Sequence, residues 1–428
     1  MTDRWQQTWK KHRKALIGLA AALGLVGLVI FLAQDPETLR VESPVAATDP
    51  RFPDYVASLV GSPVEAGDVY TILRNGDEAF PPMLAAIDAA KSRINFETYV
   101  YKDGEIGDRV VEALARAAER GVAVRIIVDP VGSLMVPKNR DRLTKAGAKL
   151  AWFNPLGFFT IDVANYRTHR KTLVVDGEVA FTGGMGVADY WLGHAQDKDH
   201  WRDTQFKITG PSVRALEGSF YENWIETGGQ SAPALDPETA PGPSGARSVV
   251  VWSNPVSGVS NVKLMYLLAI AAARNTIDLQ SPYITTDPTT RWSLAQARQR
   301  GIKIRMLTEG TITDAMPVKH ASRRSYQTFL DEGIEIFEYQ PTMMHTKAMI
   351  VDGEWSIIGS ANFSNRSFEQ NDELAIGVAD RELASRLTED FDNDVKSSTR
   401  LDKDTWKKQR SFDGKLNEWF WSFFGEFF

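Results

Sequence analysis

One pattern occurs twice in this chain: His169-Arg-Lys171-Thr-Leu-Val-Val-Asp176 and, much later, His345-Thr-Lys347-Ala-Met-Ile-Val-Asp352. Each copy is followed at the same distance by two small residues, Gly183-Gly184 in the first and Gly359-Ser360 in the second. The chain of 428 residues has only six histidines, so two of them in matched frames form a specific signal. The repeat predicts a duplicated body in which each half contributes one histidine and one lysine.

The segments around the motif repeat as well. A glycine that ends a helix and leads into a β-branched strand occurs at Arg120-Gly-Val-Ala-Val-Arg125 and again at Arg300-Gly-Ile-Lys-Ile-Arg305. The alternation of strands and helices in both copies predicts an α/β fold with two similar mixed-sheet α/β halves packed as a pseudo-dimer. We place the halves at residues 43–228 and 246–400, joined by a linker at 229–245 that is rich in Pro, Gly and Ser.

Within each copy, the histidine and the lysine are two positions apart on a predicted strand, so they project from the same face. Asp176 and Asp352 belong to the catalytic motif, but each is followed by glycine between two apolar runs, which is the signal of a hairpin turn. We therefore favour a turn-bracing role for both aspartates over contact with the substrate. The small residues that follow lie on the returning strand, where they let a ligand approach the backbone.

Two imidazoles and two fixed cations in one site suit the chemistry of a phosphodiester. The lysines hold the anionic oxygens, one histidine attacks phosphorus, and the other protonates the leaving oxygen. No metal is expected, because the strand face carries no carboxylates and the chain has no cysteine. His194, Asp197 and His200 could form a metal site, but a loop of solvated polar residues is the favoured interpretation.

The duplicated pattern, with Asn165-Tyr-Arg-Thr before His169, resembles the phospholipase D superfamily and, within it, the bacterial cardiolipin synthases. The likeness extends to Trp201-Arg-Asp203-Thr and Asn371-Asp-Glu373-Leu-Ala. It implies that Asp203 orients His169 and that Glu373 orients His345, each by holding one ring nitrogen. It also implies phosphate binding by Lys171, Lys347, Ser360 and Asn362. Gly186 stands where the family usually has asparagine, so we expect one amide donor fewer from the first half.

The resemblance implies a membrane-anchored phosphatidyltransferase that needs no cofactor. His169 would attack phosphatidylglycerol to give a phosphatidyl-histidine while His345 protonates the departing glycerol, and a second phosphatidylglycerol then yields cardiolipin. Three alternatives stay open: a phospholipase D that releases phosphatidic acid, a nuclease of the same superfamily, and a non-catalytic lipid-binding protein. The net charge of −6 disfavours nucleic acid as a partner. The presence of both histidines and both lysines disfavours a non-catalytic protein.

The two ends of the chain indicate a membrane. Residues 15–33 form an uncharged, mostly apolar run, close to the length of about 20 that a spanning helix needs. Basic residues precede this run, in segment 1–14, which predicts a single pass with the N-terminus in the cytoplasm. The catalytic body would then lie on the periplasmic side of a bacterial inner membrane. The C-terminal segment 406–428 is rich in aromatic residues, which fits either the membrane interface or a helix docked on the protein core.

Overall fold

The computed structural model describes residues 39–133, 137–155, 157, 165–230, 245–254, 260–409 and 412–422. The basic segment at 1–14 and the membrane helix predicted at 15–33 lie outside these residues, as does nearly all of the linker predicted at 229–245. Among the described helices, none combines the length and the apolar character that a bilayer crossing needs. Residues Val41–Phe428 form one structural unit, to which every element below belongs.

The strands of the first half are β1 (Glu65–Arg74), β2 (Arg93–Thr98), β3 (Ala123–Val128), β4 (Lys149–Trp152), β5 (Arg167–Thr168), β6 (Thr172–Val175), β7 (Val179–Gly183) and β8 (Thr204–Thr209). Those of the second half are β9 (Ala246–Trp252), β10 (Thr276–Gln280), β11 (Ile284–Thr285), β12 (Lys303–Glu309), β13 (Glu335–Tyr339), β14 (Ala348–Val351), β15 (Trp355–Gly359), β16 (Phe363–Ser364), β17 (Asn371–Asp372), β18 (Leu374–Ala379) and β19 (Ser398–Arg400).

The helices of the described residues lie before, between and after these strands. They are α1 (Phe52–Val60), α2 (Asn75–Ala89), α3 (Glu105–Glu119), α4 (Pro137–Lys145), α5 (Ser212–Glu226), α6 (Asn261–Ala272), α7 (Pro288–Gln299), α8 (Met316–Asp331), α9 (Asn365–Glu369), α10 (Arg381–Lys396), α11 (Lys403–Gln409) and α12 (Phe412–Ser422). Gly121 and Gly301 follow α3 and α7 with positive φ angles of 92° and 86°, as the sequence predicted for helix ends.

The two halves contain the same order of strands. In the first half the order is β1-β8-β7-β6-β2-β3-β4, and in the second half it is β9-β18-β15-β14-β10-β12-β13-β19. In each half a parallel set, β2-β3-β4 or β10-β12-β13, joins antiparallel neighbours, which confirms the predicted mixed-sheet α/β fold. β1 and β9 pair with each other, so the halves share one continuous sheet of 15 strands.

Apolar clusters cover the sheet in both halves and at their junction. A large cluster lies against each half of the sheet with a smaller one beside it, and a further cluster combines Ile72 and Phe206 of the first half with Ile358 and Ile376 of the second. β6 and β14 are buried on both faces and consist largely of apolar residues, for example Leu-Val-Val in β6. This shared core fixes the two halves against each other, and with them the two copies of the motif.

The Asp-Gly turns confirm the bracing role predicted for Asp176 and Asp352. Both aspartates have positive φ angles, 55° and 54°, and each is followed by a glycine that also has a positive φ angle. Asp176 accepts hydrogen bonds from the backbone N–H groups of residues 91, 92 and 93 at 2.8, 2.8 and 3.0 Å. Asp352 does the same with residues 274, 275 and 276 at 2.8, 2.7 and 2.8 Å. Partial burial raises the pKa of Asp176, but these donors outweigh it and hold the pKa below its usual range. The side chains therefore tie each hairpin to the start of β2 or β10.

The described part of the C-terminal segment packs on the second half. Trp406 is buried beside the ring of Tyr326, at 5.8 Å between centroids, and α12 packs against α8. Trp419 and Phe420 on α12 are about half exposed, at 50% and 46%. The observed docking corresponds to the second of the two alternatives for this segment, and it leaves two large aromatic side chains on the surface.

Candidate active site

Both copies of the motif face one cavity of about 360 Å³. His169 and Lys171 enter it from the segment between β5 and β6, and His345 enters from the matching position before β14. The other side chains that line it are aromatic, charged or amide groups together with three valines and two serines: Tyr99, Tyr190, Trp191, Trp201, Tyr283, Arg167, Arg366, Asp314, Asn362, Asn371, Val100, Val131, Val318, Ser364 and Ser367, with Ala315. The duplication thus brings together two imidazoles that are far apart in the chain.

Each histidine is held by a carboxylate from the opposite half. Nδ1 of His169 lies 2.8 Å from Oε1 of Glu373, and Nδ1 of His345 lies 2.8 Å from Oδ2 of Asp203. Both carboxylates are fully buried. The implied partnership of Asp203 with His169 and of Glu373 with His345 is therefore wrong, although both carboxylates contact a motif histidine.

Backbone pairing between the halves explains the exchange. β5 pairs in parallel with β17, and the N–H of His169 donates to the carbonyl oxygen of Asp372 at 2.9 Å, so the next residue is Glu373. In the same way the N–H of His345 donates to the carbonyl oxygen of Arg202 at 2.7 Å, and the next residue is Asp203. The signal for this exchange is absent from either motif taken alone, because it arises from how the halves meet.

Burial and mutual contact set the protonation states of His169 and Glu373. Burial lowers the pKa of His169 to about 4, so the imidazole is neutral and its second nitrogen can act as a nucleophile. Burial raises the pKa of Glu373, but its contact with His169, the charge of Lys171 and the Ser360 hydroxyl outweigh this effect and hold the pKa at about 2. Burial is also the main cause that lowers the pKa of His345. The pairing therefore combines an ionised carboxylate with an oriented ring.

The two lysines lie close to their own histidines. Nζ of Lys171 donates to the carbonyl oxygen of His169 at 2.8 Å, and Nζ of Lys347 donates to that of His345 at 2.7 Å. Burial lowers the pKa of Lys171 to about 7 and that of Lys347 to about 8. An anion bound beside the two lysines would favour their protonated form, because the opposite charge raises the pKa of each ammonium group.

The small residues after each motif make room for protein rather than for ligand. The hydroxyl of Ser360 is buried and donates to Oε2 of Glu373 at 2.5 Å, so the prediction that Ser360 binds phosphate does not match this geometry. A Cβ on Gly184 would lie 2.2 Å from Oδ1 of Asp203, and one on Gly359 would lie 2.2 Å from the carbonyl oxygen of Leu374. Asn362 does line the cavity, as predicted, and Asp176 and Asp352 do not.

In the first half the indole N–H of Trp191 donates to the carboxylate that holds a histidine, and in the second half the hydroxyl of Ser367 has this role. The Nε1–H of Trp191 donates to Oδ2 of Asp203 at 2.9 Å, the oxygen that also faces His345. Ser367, at the equivalent position of the second copy, donates to Oε1 of Glu373 at 2.6 Å, the oxygen that also faces His169. Neither residue was predicted from the sequence, although their equal offset from the two histidines was a usable signal.

The unusual Gly186 is explained by the same tryptophan. A Cβ at this position would lie 2.8 Å from the carbonyl oxygen of Val100 and 2.9 Å from Cζ3 of Trp191. The asparagine that the family pattern leads one to expect would therefore collide with the indole ring. The first half thus has an indole donor to its carboxylate where an asparagine side chain has no room.

The polar loop with His194 and His200 lies apart from this cavity. His194 contacts Asp77 at 3.2 Å and His200 contacts Asp197 at 2.7 Å, and the first pair is exposed. Within the described part of the chain, no three or more His, Asp or Glu side chains are grouped as a metal site would require. The contacts are those of a solvated polar loop.

Comparisons with known proteins assign both copies of the motif to one family. A family model described as "Cardiolipin synthase, PLD-like domain" matches residues 83–194 and 266–395. Cardiolipin synthase 1 of Bacillus anthracis is 31% identical over 393 residues, which are 89% of this chain and 77% of that protein. Cardiolipin synthase 2 of the same organism is 32% identical over 343 residues, which are 79% of this chain and 66% of that protein.

A solved structure shares the fold. The phosphatidylserine synthase of Haemophilus influenzae Rd KW20 aligns with a TM-score of 0.65 over 87% of this chain and 97% of that chain. Its sequence identity is 12%, so the likeness is one of architecture.

Proposed function

The chain belongs to the cardiolipin synthase family with phospholipase D-like domains, and we propose that it joins two phosphatidylglycerol molecules into cardiolipin with release of glycerol. The observation that carries the proposal is the pair of imidazoles in one cavity, each held at Nδ1 by a buried carboxylate and accompanied by a lysine. The relatives named cardiolipin synthase support the choice of lipid.

In the first step His169 is the nucleophile. Glu373 holds Nδ1, which leaves Nε2 to attack the phosphorus of phosphatidylglycerol. The new P–N bond forms as the P–O bond to glycerol breaks, and His345 gives its proton to the departing oxygen. Burial and Lys347 lower the pKa of His345, but the anionic lipid counteracts both and favours the protonated acid.

In the second step the roles reverse. A hydroxyl of a second phosphatidylglycerol gives its proton to His345, and its oxygen forms a P–O bond as the P–N bond to His169 breaks. Lys171 and Lys347 stabilise the charge on the phosphoryl oxygens throughout. Water in place of the lipid hydroxyl would instead release phosphatidic acid.

We further propose that residues 15–33 anchor the enzyme as a single-pass helix, with the catalytic body on the periplasmic side. The uncharged run and the basic segment before it support this topology. Trp419 and Phe420, both about half exposed, are suited to the interfacial region of the same membrane.

The direct test is incubation of the purified protein with phosphatidylglycerol vesicles, followed by analysis of lipids and free glycerol. We expect cardiolipin and glycerol in equal amounts, with neither formed by His169→Ala. Phosphatidic acid without cardiolipin would identify a hydrolase instead. Failure to form either lipid would contradict the proposal for this donor.

The pH dependence of kcat and kcat/KM should reflect the protonation of Lys171 and Lys347. Because burial lowers the pKa values of Lys171 and Lys347 to about 7 and about 8, the cations are present below these values and are lost as pH rises through them. Loss of the proton of His345, whose pKa is lowered by burial, begins the fall in kcat/KM at lower pH, and loss of the lysine cations should make the fall steeper over this range. The corresponding fall in kcat should begin at higher pH because bound phosphate stabilises the ammonium groups. Lys171→Arg should move the kcat/KM limb upward. If kcat and kcat/KM fall at the same pH, and Lys171→Arg does not shift the fall in kcat/KM, this assignment is contradicted.

The indole of Trp191 should support His345 specifically. We expect Trp191→Phe to lower turnover of phosphatidylglycerol about tenfold, because the ring remains but Asp203 loses one charge-assisted hydrogen bond. Ser367→Ala is the matched change at Glu373. A donor with a p-nitrophenol leaving group, which departs without protonation, should restore the first step in Trp191→Phe but not in Ser367→Ala. Equal restoration in both variants would contradict separate roles for the two donors.

A further inference from the structure

The two walls of the cavity differ although the scaffold is duplicated. Arg167 lies two positions before His169, and Arg366 precedes Ser367; both arginines line the cavity. At the equivalent positions of the other copy, the chain has Met343 in place of Arg167 and Tyr190 in place of Arg366. One wall is therefore cationic, whereas the other contains the stacked rings of Tyr190 and Trp201, with centroids 4.0 Å apart.

The cationic wall holds its guanidinium groups firmly. Arg366 donates to the side-chain and backbone oxygens of Asn165, at 3.1 Å each. Arg167 is buried, donates to the carbonyl oxygen of Asn154 at 2.8 Å and lies 3.7 Å from Asp129. Burial lowers the pKa of Arg366; the charges of Tyr99 and Asp129 act against it, and the repulsion between the Arg366 and Arg167 cations acts with it. An anion between them would relieve that repulsion.

The proposed reaction requires a place for a second anion. Lys171 and Lys347 lie against the two histidines and serve the phosphate that reacts. The acceptor phosphatidylglycerol carries a phosphodiester of its own, one glycerol unit away from the attacking hydroxyl. An unpaired phosphate in a buried cavity is costly, so the acceptor needs its own cations.

We propose that Arg366, supported by Arg167, forms a second phosphate subsite that binds the phosphodiester of the acceptor lipid. The inference rests on the proposed function and specifies its acceptor as an anionic alcohol. The side-chain amide of Asn371, which lines the same cavity, adds a further hydrogen-bonding group to the subsite. The subsite would bring a lipid hydroxyl to phosphorus ahead of water, and so would favour transfer over hydrolysis.

The test lets three acceptors compete for one donor. Phosphatidylglycerol vesicles containing ethanol yield cardiolipin from the lipid acceptor, phosphatidylethanol from the neutral alcohol and phosphatidic acid from water. All three products draw on the same phosphatidyl donor, so their ratios report the acceptor alone. Because each ratio is internal to one sample, partial unfolding of a variant does not alter it.

We expect Arg366→Gln to lower the ratio of cardiolipin to phosphatidylethanol about tenfold, the usual effect of losing a charge-assisted hydrogen bond to phosphate. Arg366→Lys keeps the charge and should recover part of the ratio. Arg109→Gln is the matched control, because Arg109 is exposed on α3 and forms an exposed ion pair with Glu105, at 3.5 Å, outside the cavity.

The outcomes separate the subsite from the function on which it rests. If the unaltered enzyme forms no cardiolipin, the proposed function fails whatever Arg366 does. If the enzyme forms cardiolipin and Arg366→Gln lowers all three products in equal proportion, Arg366 serves the donor phosphate or the fold, and the acceptor subsite is refuted. A fall confined to cardiolipin supports it.

Discussion

Replacing His345 by alanine is expected to stop the enzyme at the covalent stage. Turnover of phosphatidylglycerol should fall by about 10²–10⁴-fold, because the leaving glycerol and the incoming hydroxyl both lose their proton-transfer group. A donor with a p-nitrophenol leaving group removes the need for protonation in the first step. With that donor His345→Ala should release one burst of p-nitrophenol per active site and then stall.

The stalled protein should contain a phosphatidyl group on His169. Mass spectrometry of the peptide that contains residues 165–176 should show the added mass, and His169→Ala should give neither burst nor adduct. An adduct on His345 that appears only in His169→Ala would reverse the assignment of nucleophile and acid. Absence of an adduct in both variants would argue against a covalent intermediate.

The exchanged carboxylates give the second large effect. Glu373→Gln should behave like a loss of His169, because the amide no longer holds the ring in the orientation and tautomer required for attack. Asp203→Asn should behave like a loss of His345. We expect losses of about 10²–10⁴-fold for both variants with phosphatidylglycerol.

The p-nitrophenol donor distinguishes the two variants. Asp203→Asn should still give the burst and then stall, whereas Glu373→Gln should give no burst. Pairing within each half predicts the opposite result, so this experiment tests the exchange itself. Asp372→Asn is the matched control: burial raises the pKa of Asp372 to about 8, so its carboxyl is already largely neutral and the amide changes little.

Much of the fold and part of the site could be predicted from the sequence. The Asp-Gly turns and the two glycine helix ends depend on local backbone preferences, and the structure has both where they were expected. The strand predicted for each His and Lys pair was wrong: His169 and Lys171 lie between β5 and β6, and the second pair lies just before β14. The duplication was also visible, because the two motifs keep the same internal spacing. These features are properties of short segments, which a single sequence records directly.

The errors arose where distant segments meet. The partner of each histidine depends on contacts such as the pairing of β5 with β17, which joins segments from opposite halves of the chain, and no local pattern encodes it. The small residues were predicted to let a ligand approach the backbone. Their close neighbours, Asp203 and the backbone of Leu374, lie outside the motifs in the sequence, so the motifs alone did not show that protein atoms fill this space. Trp191 was missed because an aromatic residue in an apolar context predicts core packing, and here its N–H is what matters.

The exchange of carboxylates has a consequence for how such a chain can evolve. A half that keeps its own histidine, lysine and carboxylate still lacks a working imidazole, because the carboxylate that orients it is carried by the other half. Neither half can therefore lose its motif and leave the other as a self-sufficient enzyme. The fusion also removes any dependence on encounter between subunits, since β1 and β9 hold the two contributors in permanent register. A mutation that damages the motif of one half therefore also disables the histidine of the other half.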